Sequence, residues 1–327
     1  MKALQIVQYG ELKAGLEFKE TKQPDIQSTD ILIETHAAGL NPIDYKLVSG
    51  ALKEMVPLDF PATIGFDVSG KVVKVGADVT GFEIGDAVFT RVPHHQMGTV
   101  AEYVAADTSV VAKKPENASF EEVAGLPLVG LTAIQAFERV GLEKDDKILI
   151  HAGSGGVGSF AIQYAKSKGA YVYTTTSTKN VNWVKDLGAD RVIDYKKEDY
   201  KSVVSNLDLV FDTLGGDYTK AAFEIIRQEG KITSIASAPD EEAAARMGIE
   251  DYEFPESLAQ LREQKSANYK FTWMQPNGKQ LEAIADLVQK EVITPIVDQV
   301  YSFENGIEAY QHLATERAQG KVIIQLK

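Results

Sequence analysis

The segment "HAGSGGVG", residues 151–158, constrains this chain more than any other stretch. It follows the apolar run "KILI" and precedes "SFAIQYAKSKGA", whose apolar residues recur three and four apart, as on one face of a helix. Gly153, Gly155 and Gly158 therefore stand in GxGxxG register between a strand and a helix. In that setting the first glycine allows a tight turn, the second lets the backbone approach a pyrophosphate, and the third lets helix and strand pack closely. The N-terminus of the helix adds unpaired N–H groups for an anion. A plain strand-to-helix turn needs no such register, so the loop reads as a dinucleotide site.

The organisation around the loop agrees. From residue 1 to about 120 the apolar residues alternate or form short runs punctuated by Gly and Pro, as in "ILIETHAAGL" and "FDVSGKVVKVG", which predicts a β-rich domain. From about Phe120 strand-like segments ("KILIHAG", "YVYTTTS", "RVIDY", "LDLVFDTLGG", "KITSIAS") alternate with helical ones ("KNVNWVKDLGA", "YTKAAFEIIRQEG"). Such alternation predicts βαβ units and a doubly wound parallel sheet, so the fold class is α/β. Past about residue 276 a helix, a short strand, a helix and a final strand "GKVIIQLK" form a tail that could close either domain. The charged, weakly periodic stretch "PDEEAAARMGIEDYEFPESLAQLREQKS" reads as a mobile or variable surface segment.

Composition narrows the function. At 327 residues the chain suits two domains, and no stretch approaches the roughly 20 uninterrupted apolar residues of a membrane helix. The N-terminus lacks the layout of a signal peptide, and a chain without cysteine fits a reducing compartment, so a cytoplasmic location is expected. A formal net charge of −13 argues against nucleic acid or an anionic membrane as the main partner, because phosphate backbones are held by clustered Lys and Arg.

NAD binders of this kind carry an Asp or Glu about 20 residues past the glycines, at the end of the second strand, for the ribose 2′-hydroxyl. Here that place reads "YTTTSTKN": Thr176, Ser177 and Thr178 offer hydroxyls and Lys179 a cation. NADP(H) is therefore expected over NAD(H), although Lys179 also reads as an ordinary solvated lysine at a helix start.

Three stretches together resemble the medium-chain dehydrogenase/reductase superfamily in its zinc-free NADPH:quinone oxidoreductase branch. They are "AAGLNPIDYKLVSG", the Gly-rich "FPATIGFDVSGKVVKVGADVTGFEIGDAV", and the cofactor half with "LPLVGLTAIQAF", "HAGSGGVG", "LGADRVIDY" and "GKVIIQL". The resemblance implies a GroES-like β-rich catalytic domain, residues 1–120 and 276–327, and a Rossmann NADP(H)-binding domain, residues 121–275. It implies NADPH contacts at Thr132, Gly153, Ser154, Gly155, Gly156, Val157, Gly158, Ser177, Lys179 and Tyr195. Tyr195 equally reads as a tyrosine closing a strand. By the same likeness "NYKFTWM" is a sheet-edge strand through which two copies pair as a homodimer, or else an internal strand.

Zinc-dependent members of the superfamily place a Cys within the stretch that reads "GLNPID" here, and Gly-His-Glu where this chain has Gly65, Phe66 and Asp67. None of those ligands is present, and no metal is expected at His36, His94, His95, His151 or His312. Without a Lewis acid, acceptors that stabilise charge by conjugation are expected: a quinone or, as the alternative, an α,β-unsaturated ketone or aldehyde. The candidate catalytic residues are Asn41, donating an amide N–H to the nicotinamide or the acceptor oxygen, Tyr45, donating its phenolic hydrogen, and Lys46, stabilising a developing oxyanion. Asn41 with Pro42 also reads as a turn, Tyr45 as core, and Asp44 as holder of the turn. Quinone-reducing relatives often carry a Tyr where Lys46 stands. A reading of another class is a non-catalytic NADPH-binding sensor or structural protein.

Overall fold

The strand Asp30–Gly39, "DILIETHAAG", is buried at eight of its ten positions because other strands cover both its edges. It pairs antiparallel with Asp67–Val75 on one side and, along different parts of its other edge, with Tyr103–Asp107 and Lys321–Gln325. The computed structural model describes residues 1–327, and the chain divides into two units: Met1–Leu131 with Gln275–Lys327, and Thr132–Met274.

In the first unit a seven-stranded sheet runs in the order Val297–Ser302, Lys321–Gln325, Asp30–Gly39, Asp67–Val75, Ala87–Arg91, Val111–Lys113, with Tyr103–Asp107 also on Asp30–Gly39. A three-stranded sheet of Leu16–Glu20, Lys2–Ile6 and Ala62–Thr63 packs with it around a core that includes Leu4, Ile33, Phe66, Val68 and Tyr310. The tail thus returns to the first unit, its last strand pairing Ile323 opposite Gly39. Two glycines are required by close backbone approach. A Cβ on Gly70 would lie 2.0 Å from the Glu34 carbonyl oxygen, and one on Gly39 2.0 Å from that of Ala124.

The second unit is a six-stranded parallel sheet in the order Arg191–Asp194, Tyr171–Thr176, Lys147–Ile150, Leu207–Asp212, Ile226–Ser234, Asn268–Phe271. The chain enters at Lys147–Ile150, winds outward twice to one side, then returns and winds to the other. This is the doubly wound arrangement that the strand and helix alternation implies, and its order reverses between Lys147–Ile150 and Leu207–Asp212.

Two local expectations differ from the structure. In "YTKAAFEIIRQEG" the helix Asp217–Ile225 stops and a strand begins at Ile226, which pairs with Leu207. Tertiary pairing of a β-branched residue outweighs the helical period there. Residues 239–266, read as a mobile surface stretch, form the helices Glu241–Arg246 and Glu256–Lys265. Polar contacts hold them: Asp240 caps the first through the Ala243 amide, and Arg262 grips Glu241 with two bonds of 2.6 and 2.9 Å, keeping that carboxyl at about 2.

Substituting Gly70→Ala forces the Asp30–Gly39 and Asp67–Val75 strands apart. The expected cost is about 3 kcal/mol, read as a lower urea midpoint at unchanged slope.

Candidate active site

The glycine loop joins Lys147–Ile150 to the helix Gly156–Ser167 at the carboxyl edge of the parallel sheet. Of its four glycines, the three in GxGxxG register answer to two constraints. A Cβ on Gly153 would meet Thr174 Oγ1 at 2.1 Å, and one on Gly158 would meet the Ala152 carbonyl oxygen at 2.3 Å, so both are required by packing inside the protein. Gly155, at an ordinary φ of −82°, would bring a Cβ near only the Ala152 oxygen, at 3.4 Å. Nothing in the protein demands glycine there, which leaves space over the loop for a close-approaching ligand. The first bond of the helix runs from the Ser159 amide to the Gly155 carbonyl, so the amides of Gly156, Val157 and Gly158 are left facing out of its end. Ser154, Gly155, Gly156 and Val157 are partly exposed on this cradle. The loop therefore fits a pyrophosphate.

The next strand ends at Thr176, opposite Asp194, and the Tyr195 amide bonds the Thr176 carbonyl at 3.1 Å. That pairing brings Tyr195, 57% exposed, beside partly exposed Ser177 and exposed Lys179 at the ends of neighbouring strands. Thr176 Oγ1 is buried here without a partner. Asp194 also belongs to this edge, a carboxylate the sequence analysis passed over; it accepts the Lys196 amide at 3.1 Å and meets Lys197 Nζ at 3.3 Å. Thr132 is buried on the helix Pro127–Val140.

In the first unit, four strand ends converge: Gly39, Asp67 and Arg91 lie in register, and Lys321 opens the last strand. They enclose a buried polar cluster in which Asp67 and Asp44 are fully closed off from solvent. Asp67, 0% exposed, accepts the Asn41 amide at 2.9 Å and the Leu128 backbone N–H at 3.2 and 3.3 Å, with Lys321 Nζ at 3.7 Å. Lys321 donates to the Leu40 carbonyl at 2.6 Å and to Asn41 Oδ1. Asp44 accepts the Asn41 backbone N–H at 2.9 Å and the Tyr310 hydroxyl at 3.4 Å, which closes the first turn of the helix Pro42–Val48. Burial raises the Asp67 and Asp44 carboxyls, the latter to about 7, and lowers Lys321. Arg91, lowered to about 10 by burial, lies 4.7 Å over the Phe66 ring.

The three residues considered for catalysis thus separate. Asn41 is buried with both ends of its amide committed inward, in place of the outward donation expected from the sequence. Tyr45 packs partly on the core and its hydroxyl donates to Glu316 at 3.3 Å, while Lys46 is exposed one position on. Sequence reasoning passed over Lys321, Arg91 and Tyr310. The available signal was a lysine opening a strand whose next three residues are all buried.

The family described as "Alcohol dehydrogenase GroES-like domain" matches residues 27–116, and that described as "Zinc-binding dehydrogenase" matches residues 187–324. The chain is 33% identical to the mitochondrial NAD(P)H oxidoreductase RTN4IP1 of Danio rerio, over 91% of this chain and 84% of that protein. It is 32% identical to 2-methylene-furan-3-one reductase of Solanum lycopersicum, over 99% of this chain and 79% of the other. The solved structure of the quinone oxidoreductase from Coxiella burnetii superposes with a TM-score of 0.88 at 33% identity, covering 100% of this chain and 99% of that one. This chain belongs to the zinc-free quinone oxidoreductase branch of the medium-chain dehydrogenase/reductase superfamily. It is an oxidoreductase with an NAD(P)-binding fold, and no helix is long and apolar enough to cross a membrane.

The superfamily's zinc does not fit the residues present. Phe66 and Asp67 stand where zinc-dependent members carry His and Glu, and no three His, Cys, Asp or Glu side chains gather closely enough to hold a metal. The two carboxylates at that place are already engaged within the protein, Asp67 with Lys321 and Asp44 with the Asn41 backbone N–H and the Tyr310 hydroxyl.

His151, immediately before the loop, is fully buried; its ring meets Tyr200 and Tyr218 edge-on at 5.0 and 5.2 Å, and Nδ1 lies 3.3 Å from Thr175 Oγ1. Burial lowers its pKa to about 4, against the opposing pull of Asp212. The unfolded chain takes up this proton near 6.5 and the folded one only near 4. Its contribution to stability is therefore complete above about pH 6.5 and declines as pH falls toward 4, by up to about 3 kcal/mol. In urea titrations at pH 7 and pH 5, His151→Gln should lose less stability between the two than the parent chain does.

Proposed function

We propose that this protein reduces a quinone with NADPH and without a metal. The observation that carries the reading is the filled metal place: Phe66, and Asp67 paired internally with Lys321, leave no Lewis acid, so the acceptor must itself stabilise the charge it receives. The likeness to the Coxiella burnetii quinone oxidoreductase supports the same acceptor class. The likeness to the tomato 2-methylene-furan-3-one reductase favours a second reading, reduction of an α,β-unsaturated carbonyl.

When bound, NADPH supplies the hydride. The Gly153–Gly158 loop would hold the pyrophosphate, Ser177 and Lys179 would hold the 2′-phosphate, Lys179 by its charge, and Tyr195 would lie at the adenosine end. Thr132 holds the cofactor from the helix Pro127–Val140. Hydride and one proton complete the reduction of a quinone: Lys46 stabilises the oxyanion that forms on the acceptor, Tyr45 delivers the single proton, and water restores the proton to Tyr45. Asn41 holds the turn that presents both. A cysteine-free chain suits a reducing compartment, which supports a cytoplasmic location. Asn268–Phe271 lies at the edge of the six-stranded sheet, and we assign homodimer pairing to that edge.

NADPH oxidation followed with a quinone panel beside an enone panel separates the two acceptor classes. Faster turnover of quinones is expected. Tight NADPH binding with turnover on neither panel would overturn both readings in favour of a binding protein. The double substitution Ser177→Asp with Lys179→Glu should lower kcat/KM for NADPH about 100-fold while that for NADH holds or rises, since it removes charge-assisted bonds and adds repulsion. Sedimentation should show a dimer, and a monomer when Lys270→Pro breaks the outer strand.

A further inference from the structure

Two helices in this chain begin on the same carboxylate. Asp67 accepts the side-chain amide of Asn41, which leads into Pro42–Val48, and the backbone N–H of Leu128, in the first turn of Pro127–Val140. The first of these helices carries Tyr45 and Lys46 and the second carries Thr132. Lys321 is the cation that touches Asp67, and its other two bonds go to Leu40 and Asn41, the residues that lead into Pro42–Val48. Arg91, the other buried cation facing this carboxylate, instead donates to the Val92 carbonyl at 2.8 Å. Asp44, the second carboxylate of the cluster, holds the same turn from within through the Asn41 backbone N–H.

The geometry points to Lys321 as a positioning residue for the reaction: paired with Asp67, it sets the starts of the helices that bear Tyr45, Lys46 and Thr132. The assignment rests on the proposed roles of those three residues. An ionised Asp67 can accept the Asn41 and Leu128 donors together. Without the ammonium, a carboxylate with no access to water takes up a proton and becomes a donor at one oxygen, so the two helix starts compete for what remains. A displacement of the reacting groups by a fraction of an ångström slows the step far more than it loosens the cofactor, which Thr132 holds together with the glycine loop.

Lys321→Met alone leaves an unpaired buried charge and can fail to fold, so the decisive variant is the neutral pair Asp67→Asn with Lys321→Met, in which no charge is stranded. Its cofactor affinity is read by NADPH fluorescence, its kcat and KM on the better acceptor panel, and its helix starts by hydrogen exchange of peptides spanning residues 40–48 and 126–135. The expected result is NADPH affinity weakened by no more than about threefold through the Thr132 helix, an unchanged KM for the acceptor, a kcat about 30-fold lower, and exchange about tenfold faster in those two peptides alone, with Lys321→Arg keeping most of the kcat. A kcat within twofold of the parent, or unchanged exchange in both peptides, overturns the assignment. If the parent protein turns over neither panel, the functional reading fails by itself, and the exchange result still decides whether Lys321 anchors the helices.

Discussion

A carboxylate sealed from water is costly, and Asp67 persists because its oxygens are taken by an amide, a backbone N–H and an ammonium. Much of the first unit converges on that arrangement. The strand starting at Asp67, the turn at Asn41, the helix beginning at Pro127 and the last strand of the chain each contribute one member. Buried ion pairs add little net stability over well-packed apolar groups, but breaking one by removing a single partner is severe. The cluster therefore acts as a registration device for elements far apart in sequence. Zinc-dependent members of the superfamily spend a metal and its ligands at this place, whereas here an internal lysine supplies the positive charge.

The second unit solves its electrostatic problem differently. In a chain with a formal net charge of −13, the end of one helix and a backbone bent to expose amides form an anion cradle that needs no basic surface. Two of the three glycines in GxGxxG register are demanded by the fold's own packing, at Thr174 and at the Ala152 carbonyl, and Gly155 is left open toward a ligand. The same motif therefore serves structure and binding at once.

Much of this was legible in the chain before folding. The glycine register and the alternation of strand and helix periods implied a doubly wound parallel sheet, the pattern of the first 120 residues implied a β-rich domain, and the family resemblance implied that this domain is GroES-like. Local reasoning was weakest where long-range pairing or polar capping replaced periodic burial. Ile226 leaves a helical pattern because Leu207 offers it a parallel partner, and residues 239–266 are held by the polar contacts of Arg262, Glu241 and Asp240 together with the buried Ala243, Ala244 and Leu258.

Asn41 marks the limit most clearly. From "NPIDYK" alone its amide is as free to face a substrate as to face inward. Its partners are Asp67, 26 residues away, and Lys321, 280 residues away, and only closure of the sheet brings them to it. The sequence by itself determined the dinucleotide fold and the lack of zinc ligands, because these follow from local periodicity and from which residue types are present. Tertiary structure alone decided which polar groups face each other in the dry interior, because a buried charge takes whatever partner the sheet topology delivers.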